Sequence, residues 1–144
     1  MNHDIRVIGP DHYEGMIRVW ELAGLPFRPR GRDSRVEIEA QMDLDPEMFL
    51  GCFIGGELAG VIIGSYDQRK GWINRLAVIP EHRGKGIAKA LVKRIEEILR
   101  DKGFRIIATL VEDDSPESME LFTKAGYRKH DDIQYFTKRE SEDV

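Results

Sequence analysis

The stretch VIPEHRGKGIAKAL, residues 78–91, passes from an apolar strand end through proline into a basic, glycine-containing turn and then a helix start. Arg83, Lys85 and Lys89 crowd that start, and no acid follows until Glu96. A helix N-terminus carries partial positive charge, which favours acids and disfavours cations. Two readings of the conflict stand. Glycines let backbone approach a ligand, and free amides at a helix start point at an anion, so a bound phosphate would make the cations favourable. Alternatively the turn is a solvated basic helix start that tolerates each cation at ~0.3–1 kcal/mol. Neither common phosphate loop fits the spacing. A GxxxxGK[ST] loop needs Ser or Thr after Lys85, and the third glycine of a dinucleotide fingerprint falls on Lys89.

Working outward from this turn, GWINRLAVI before it reads as a strand. The helix after it, from about Gly86 to Lys102, carries Ile87, Leu91, Ile95, Ile98 and Leu99 at helical spacing, with Gly103 as its stop. Upstream, MFLGCFI and ELAGVIIGSY flank Gly55-Gly56, a two-residue hairpin signal. Ile5 to Ile8 read as a first strand. Tyr13, Met16, Ile17 and Trp20 mark a first helix, and Ser34 caps a second that carries Ile38 and Met42. Between these helices lies GLPFRPRGRDS, a loop. Downstream, FRIIATLV reads as a buried strand of the parallel kind, and SPESMELFTKAG as a helix with Ser115 as cap and Pro116 at its first position. Tyr127 to Lys138 offers one or two final strands. The order βααβββαβαβ(β) is an antiparallel meander followed by crossover units, hence α+β with a mixed, mostly antiparallel sheet flanked by helices.

The 144 residues suit one domain, spanning 1–144, with 41% apolar and 33% charged residues. A net charge of -4 argues against nucleic acid as a partner, so any basic function must be local. The single cysteine, Cys52, excludes an internal disulfide and reads as a buried, inert thiol. No apolar run approaches the ~20 residues of a membrane span, and the first residues lack a signal-peptide core, so the expectation is a cytoplasmic protein with no membrane partner. The four histidines show no metal-ligand spacing, and no metal is expected.

LAVIPEHRGKGIAKAL resembles the signature of the GCN5-related N-acetyltransferase (GNAT) superfamily: a strand, then [RQ]xxGx[GA], then a helix. Arg83, Gly86 and Ala88 fill the defined positions. VEDDSPESMELFTKAGY is similar to the family's second cofactor segment, ending in a Gly-aromatic pair at Gly126-Tyr127. The resemblance extends over nearly the whole chain and implies the GNAT acyl-CoA N-acyltransferase fold. It further implies acetyl-CoA as acyl donor, with its pyrophosphate on the turn Arg83, Gly84, Lys85, Gly86, Ile87, Ala88 and Lys89. The pantetheine arm would pair with the backbone of Leu76, Ala77 and Val78. The Val78 amide is then the candidate donor to the oxyanion. Attack by a primary amine would be direct, through a ternary complex with no acyl-enzyme.

The chain departs from the family pattern at Phe122, where many relatives carry a tyrosine that protonates the leaving thiolate, and at Ser115, where they carry asparagine. Both remain expected cofactor contacts by position. Phenylalanine cannot donate, so Ser115, Tyr66, Tyr135 or water must serve, Tyr135 being the candidate taken forward. Positions that hold a glutamate base in some relatives are Trp72 and Leu110 here. Glu112 is the best-placed carboxylate, Asp113 the next. Arg28, Arg30, Arg32 and Arg35 cluster in the loop that borders the acceptor site in this fold, which suits an acidic group on the acceptor; a solvated loop is the alternative.

In length and motif the chain resembles the branch containing ribosomal-protein-alanine N-acetyltransferases, so both a peptide or protein amine and a small-molecule amine stand as acceptors. Monomer and homodimer are both open. Two rival functions remain: an acyl-CoA-binding sensor or regulatory module without efficient turnover, favoured by Phe122, and a nucleotide-phosphate binder unrelated to CoA.

Overall fold

The computed structural model describes residues 3–144. Five strands form one sheet in the order β1-β2-β3-β4-β5: β1 Asp4–Val7, β2 Phe49–Ile54, β3 Glu57–Tyr66, β4 Gly71–Val78 and β5 Ile107–Thr109. The first four pair antiparallel and β5 joins β4 in parallel. Helices α1 (Tyr13–Ala23), α2 (Arg35–Leu44), α3 (Ile87–Asp101) and α4 (Pro116–Lys124) complete the mixed α+β architecture. Gly55 and Gly56 turn the β2–β3 hairpin at φ 57° and 82°, left-handed angles that a two-residue hairpin of this hand requires.

The sheet is shaped to take α3 closely. Gly60, Gly64 and Gly71 lie beneath the helix, where a Cβ would stand 2.8 Å from Ile87, 3.0 Å from Ile95 and 2.9 Å from Leu99. The apolar stripe read from the sequence is therefore the face that fills this seat, with Ile87, Leu91, Ile95 and Leu99 all buried. Burial of each such side chain contributes ~1.5–3 kcal/mol. Helix α1 covers the opposite face, where its Gly15 meets Leu58. Among the described residues no helix is long and apolar enough to cross a membrane.

Two expectations fail at the C-terminal side. Residues 127–138 form no strand, and Ile133, Tyr135 and Phe136 stand exposed. The alternating apolar residues supply strand propensity, but no ladder partner takes them up. The fifth strand is also only three residues long, with Ile106 and Leu110 exposed on either side of it, so FRIIATLV is a half-covered edge.

A bulge decides what β4 does. Ile63 lies opposite Arg75 and Gly64 opposite Ile73, which leaves Asn74 as the extra residue; its side-chain amide donates to Ser65 Oγ at 2.7 Å. On the other edge, pairing with β5 ends at Ile73 opposite Thr109, and the Thr109 hydroxyl donates to the Ile73 carbonyl at 3.0 Å. Beyond that rung β4 and β5 part.

Candidate active site

The parting of β4 from β5 exposes main-chain groups whose direction can be fixed. Ile79 donates its amide to Ala59 on β3 at 2.9 Å. Strand alternation then aims the amide and carbonyl of Val78, and those of Leu76, at the open edge. The Val78 carbonyl is taken there by Arg83 Nε at 3.2 Å, which ties the turn to the strand end. The Val78 amide points to the same side.

The turn itself carries the geometry the glycines permit. Gly84 and Gly86 have φ of 82° and 77°, left-handed angles that disfavour any side chain. Gly86 is the N-cap of α3, no side chain caps the helix, and its first turn contains no acid. The first α3 bond runs from Ala90 to the Gly86 carbonyl at 3.1 Å, so the amides before Ala90 have no partner within the helix. The local sequence does what the opening stretch suggested: it withholds every intrinsic cap from a helix start ringed with cations.

Lys85 is fixed by two histidines. Its carbonyl accepts from His3 Nε2 at 2.8 Å, and its ammonium donates to His82 Nδ1 at 2.8 Å. Lys85 does not line the cleft beside the turn, whereas His82, Arg83, Gly84, Gly86, Ala88 and Lys89 do. This first cleft, about 550 Å³, runs between β4 and the N-terminal ends of α3 and α4. Leu76, Ala77 and Val78 form its floor together with Ile87, and Ser115 closes the α4 end.

A second cleft of about 540 Å³ lies on the other side of β4's free end. It is built from the loop before α2, the bulged part of β4, the segment after β5, and the C-terminal segment. Glu112 and Tyr135 both line it, which brings together two residues chosen from distant parts of the sequence. The two clefts share Leu25, Leu76, Ser115 and Ser118 as common walls. Ser115 occupies the N-cap position of α4, yet its hydroxyl makes no capping bond.

Several expected residues sit elsewhere. Phe122, expected on the cofactor side, lines the second cleft and is 7% exposed, its ring edge-on to Tyr127 at 5.1 Å. The reason is the Gly126-Tyr127 pair: Tyr127 donates to Glu96 Oε2 of α3 at 2.6 Å and clamps α4 to α3, with Phe122 inside the clamp. Burial, then the Glu96 carboxylate, pushes the Tyr127 phenol far above its ordinary range. Tyr66 lines neither cleft; the nearby Asp45 carboxylate raises its pKa, and its ring lies against Phe104. Arg30 is also absent from the second cleft, because its guanidinium pairs with Asp143 at 2.8 Å. Arg35 pairs with Glu14 and Glu39. Cys52 is buried in β2, and burial followed by the Asp4 charge raises its thiol pKa, so it stays protonated away from both clefts.

The sequence reading missed a hub. Asp33 is 4% exposed and gathers the Arg28 amide at 2.6 Å, Arg75 Nη2 at 3.2 Å and Arg32 Nε at 4.0 Å. Arg75 lies over the Trp20 ring at 4.5 Å, and its own burial lowers its pKa against the pull of Asp33. A charged residue inside the apolar strand INRLAVI was the available signal, since such a residue needs a partner. Ser118 and Arg139 were missed too; nothing local distinguishes either. Among the described residues no cluster of His, Cys, Asp and Glu is arranged to hold a metal.

The family model described as Acetyltransferase (GNAT) family matches residues 16–127. The chain belongs to the GNAT acetyltransferase family. It is 36% identical over 140 residues to acetyltransferase SG1711 of Sodalis glossinidius (strain morsitans), covering 97% of each chain. Its fold matches the PaiA N-acetyltransferase of Thermoplasma acidophilum, solved with coenzyme A, at TM-score 0.77 and 23% identity over 92% of this chain and 94% of that one. The ribosomal-protein-S18-alanine N-acetyltransferase of Escherichia coli shares the fold at TM-score 0.71 and 14% identity, over 90% and 79% of the two chains.

Proposed function

We propose that this protein transfers the acetyl group of acetyl-CoA to a primary amine by direct attack in a ternary complex. The observation that carries this reading is the meeting of two clefts at the free edge of β4. One is walled by uncapped amides and left-handed glycines, the other by Glu112, Tyr135 and arginines. The first fits a CoA pyrophosphate: a bare helix start with cations and no acid in its first turn is unfavourable alone and favourable around an anion.

Bound acetyl-CoA supplies an activated thioester. The amides of Gly84 to Lys89 hold its phosphates, and the main chain of Leu76 orients its arm. The Val78 amide donates to the acyl oxygen as negative charge develops there, the interaction that contributes most to such a step. Glu112 accepts the proton lost by the amine as the nitrogen–carbon bond forms. The carbon–sulfur bond breaks, and Tyr135 returns a proton to the sulfur, with the Ser115 hydroxyl as the alternative donor. Cys52 takes no part.

The test is thermal stabilisation by CoA and acetyl-CoA, with ATP as control, repeated on Gly86→Asp. A ligand that binds only the folded state raises the melting temperature. CoA should do so for the unaltered protein and not for the variant; no shift near millimolar CoA, or a shift with ATP alone, overturns the reading. The second reading, a CoA-binding module without efficient turnover, rests on Phe122 standing buried where a proton donor is common. CoA-dependent stabilisation without acetylation of any amine in a broad panel would favour it.

A further inference from the structure

The second cleft carries a charge pattern that the chain as a whole does not. Within a protein of net charge -4, it is lined by Arg28, Arg32, Arg75 and Arg139 against Asp33 and Glu112. Asp33 is already committed: it holds buried Arg75 and the Arg28 amide, with Arg32 at the limit of ion-pair range. Among the described residues no Asp or Glu side chain pairs with the guanidinium of Arg28 or Arg139. Arg139 donates through Nη1 to an oxygen of Val144 at 2.8 Å, so an incoming carboxylate must share that guanidinium or displace Val144 from it. Arg30, outside the cleft, binds Asp143 and holds the C-terminal segment, with Arg139 on it, against the arginine loop. That loop has no room for a side chain at Gly31, which lies on the Asp143 backbone.

We infer that the acceptor is a primary amine carrying a carboxylate, gripped by Arg28 and Arg139 while its amine faces Glu112. This rests on the acetyl-transfer reading and names the substrate class of the same site. Guanidinium forks favour a planar carboxylate with two oxygens, and they disfavour a cationic polyamine. Arg75 is not a binding group in this account, because its charge is spent on Asp33. Two sources offer this chemistry: a free amino acid, or a peptide with an acidic residue beside its terminal amine.

The experiment uses the whole protein saturated with CoA and reads melting temperature before any turnover. The probes are 4-aminobutyrate, butylamine and putrescine at about 10 mM, and a short peptide with aspartate at its second position beside its asparagine counterpart. The acids should stabilise and the neutral and cationic amines should not. Initial rates with acetyl-CoA should then give the acids a kcat/KM at least about tenfold higher, carried by KM. Arg28→Ala with Arg139→Ala should remove that preference while CoA still stabilises. Equal shifts for acids and amines, no shift with any acid, or a preference that survives the double variant overturns the inference. Acetylation of putrescine in preference to acids would overturn it while leaving acetyl transfer intact. Loss of CoA stabilisation in the unaltered protein would instead remove the reading beneath it.

Discussion

The two clefts are similar in size and differ in what they are made of. The first is main chain: the Val78 amide, the left-handed Gly84 and Gly86, and the uncapped start of α3. The second is side chain: Arg28 and Asp33 from a loop, Arg75 from β4, Glu112 from beyond β5, and Tyr135 and Arg139 from the C-terminal segment. A main-chain site tolerates change in the side chains around it. A side-chain site is where one member of a fold differs from the next. In this chain the main-chain half sits on α3 and β4, while the side-chain half draws on positions more than one hundred residues apart in sequence.

That contrast yields predictions of graded size. The largest concerns the hub of the side-chain cleft. Asp33→Ala leaves Arg75 charged, buried and unpaired, which should cost ~3–5 kcal/mol of stability by denaturant unfolding. Adding Arg75→Met should recover most of it, since replacing both partners by apolar bulk is close to neutral. If the single variant unfolds normally, Asp33 does not organise the cleft.

On the backbone side, Gly86→Asp should weaken CoA about a hundredfold by titration calorimetry, or ~2.7 kcal/mol, through a strained φ and a repelled phosphate. Lys89→Ala should weaken CoA only a few-fold, within ~1 kcal/mol, because it supplies charge and not the cradle. Reversal of that order would mean that side chains, not amides, hold the donor.

Gly60→Ala tests the seat that aims the cradle. A Cβ there would stand 2.8 Å from the Ile87 side chain, so Ile87 or the helix that carries it must give, at ~1–3 kcal/mol in stability and with weaker CoA binding. Unchanged stability and affinity would detach the turn's geometry from the sheet beneath it.

The smallest effect is a pH dependence. The folded state favours the protonated Tyr127 phenol, through burial first and then Glu96. Its contribution is therefore complete below the phenol's ordinary value of 10.0 and fades as pH rises above it. Tyr127→Phe should flatten the alkaline limb of a stability–pH profile. An unaltered limb would assign alkaline unfolding to other groups.

The same contrast explains what could be read from the chain. The turn was legible because a main-chain site must announce itself through glycines and absent acids, and Gly84, Gly86 and the missing acid did so. The β2–β3 hairpin and the α3 stripe were legible for a related reason: each is set by residues close in sequence. The acceptor side was half legible. The arginine loop stood out, but nothing local shows that Arg30 turns to Asp143 or that Arg75 is matched by Asp33. The same holds for Phe122, whose place was set by the clamp between Tyr127 and Glu96. The final strands were over-read because residues 127–138 have strand composition without a partner to complete a ladder.

Hydrogen–deuterium exchange with and without CoA tests the two-material account most directly. It predicts slowed exchange at Leu76 and Val78 and across Gly84 to Lys89, with the arginine loop and the C-terminal segment unchanged. Protection confined to the second cleft, or none at the α3 turn, would contradict it.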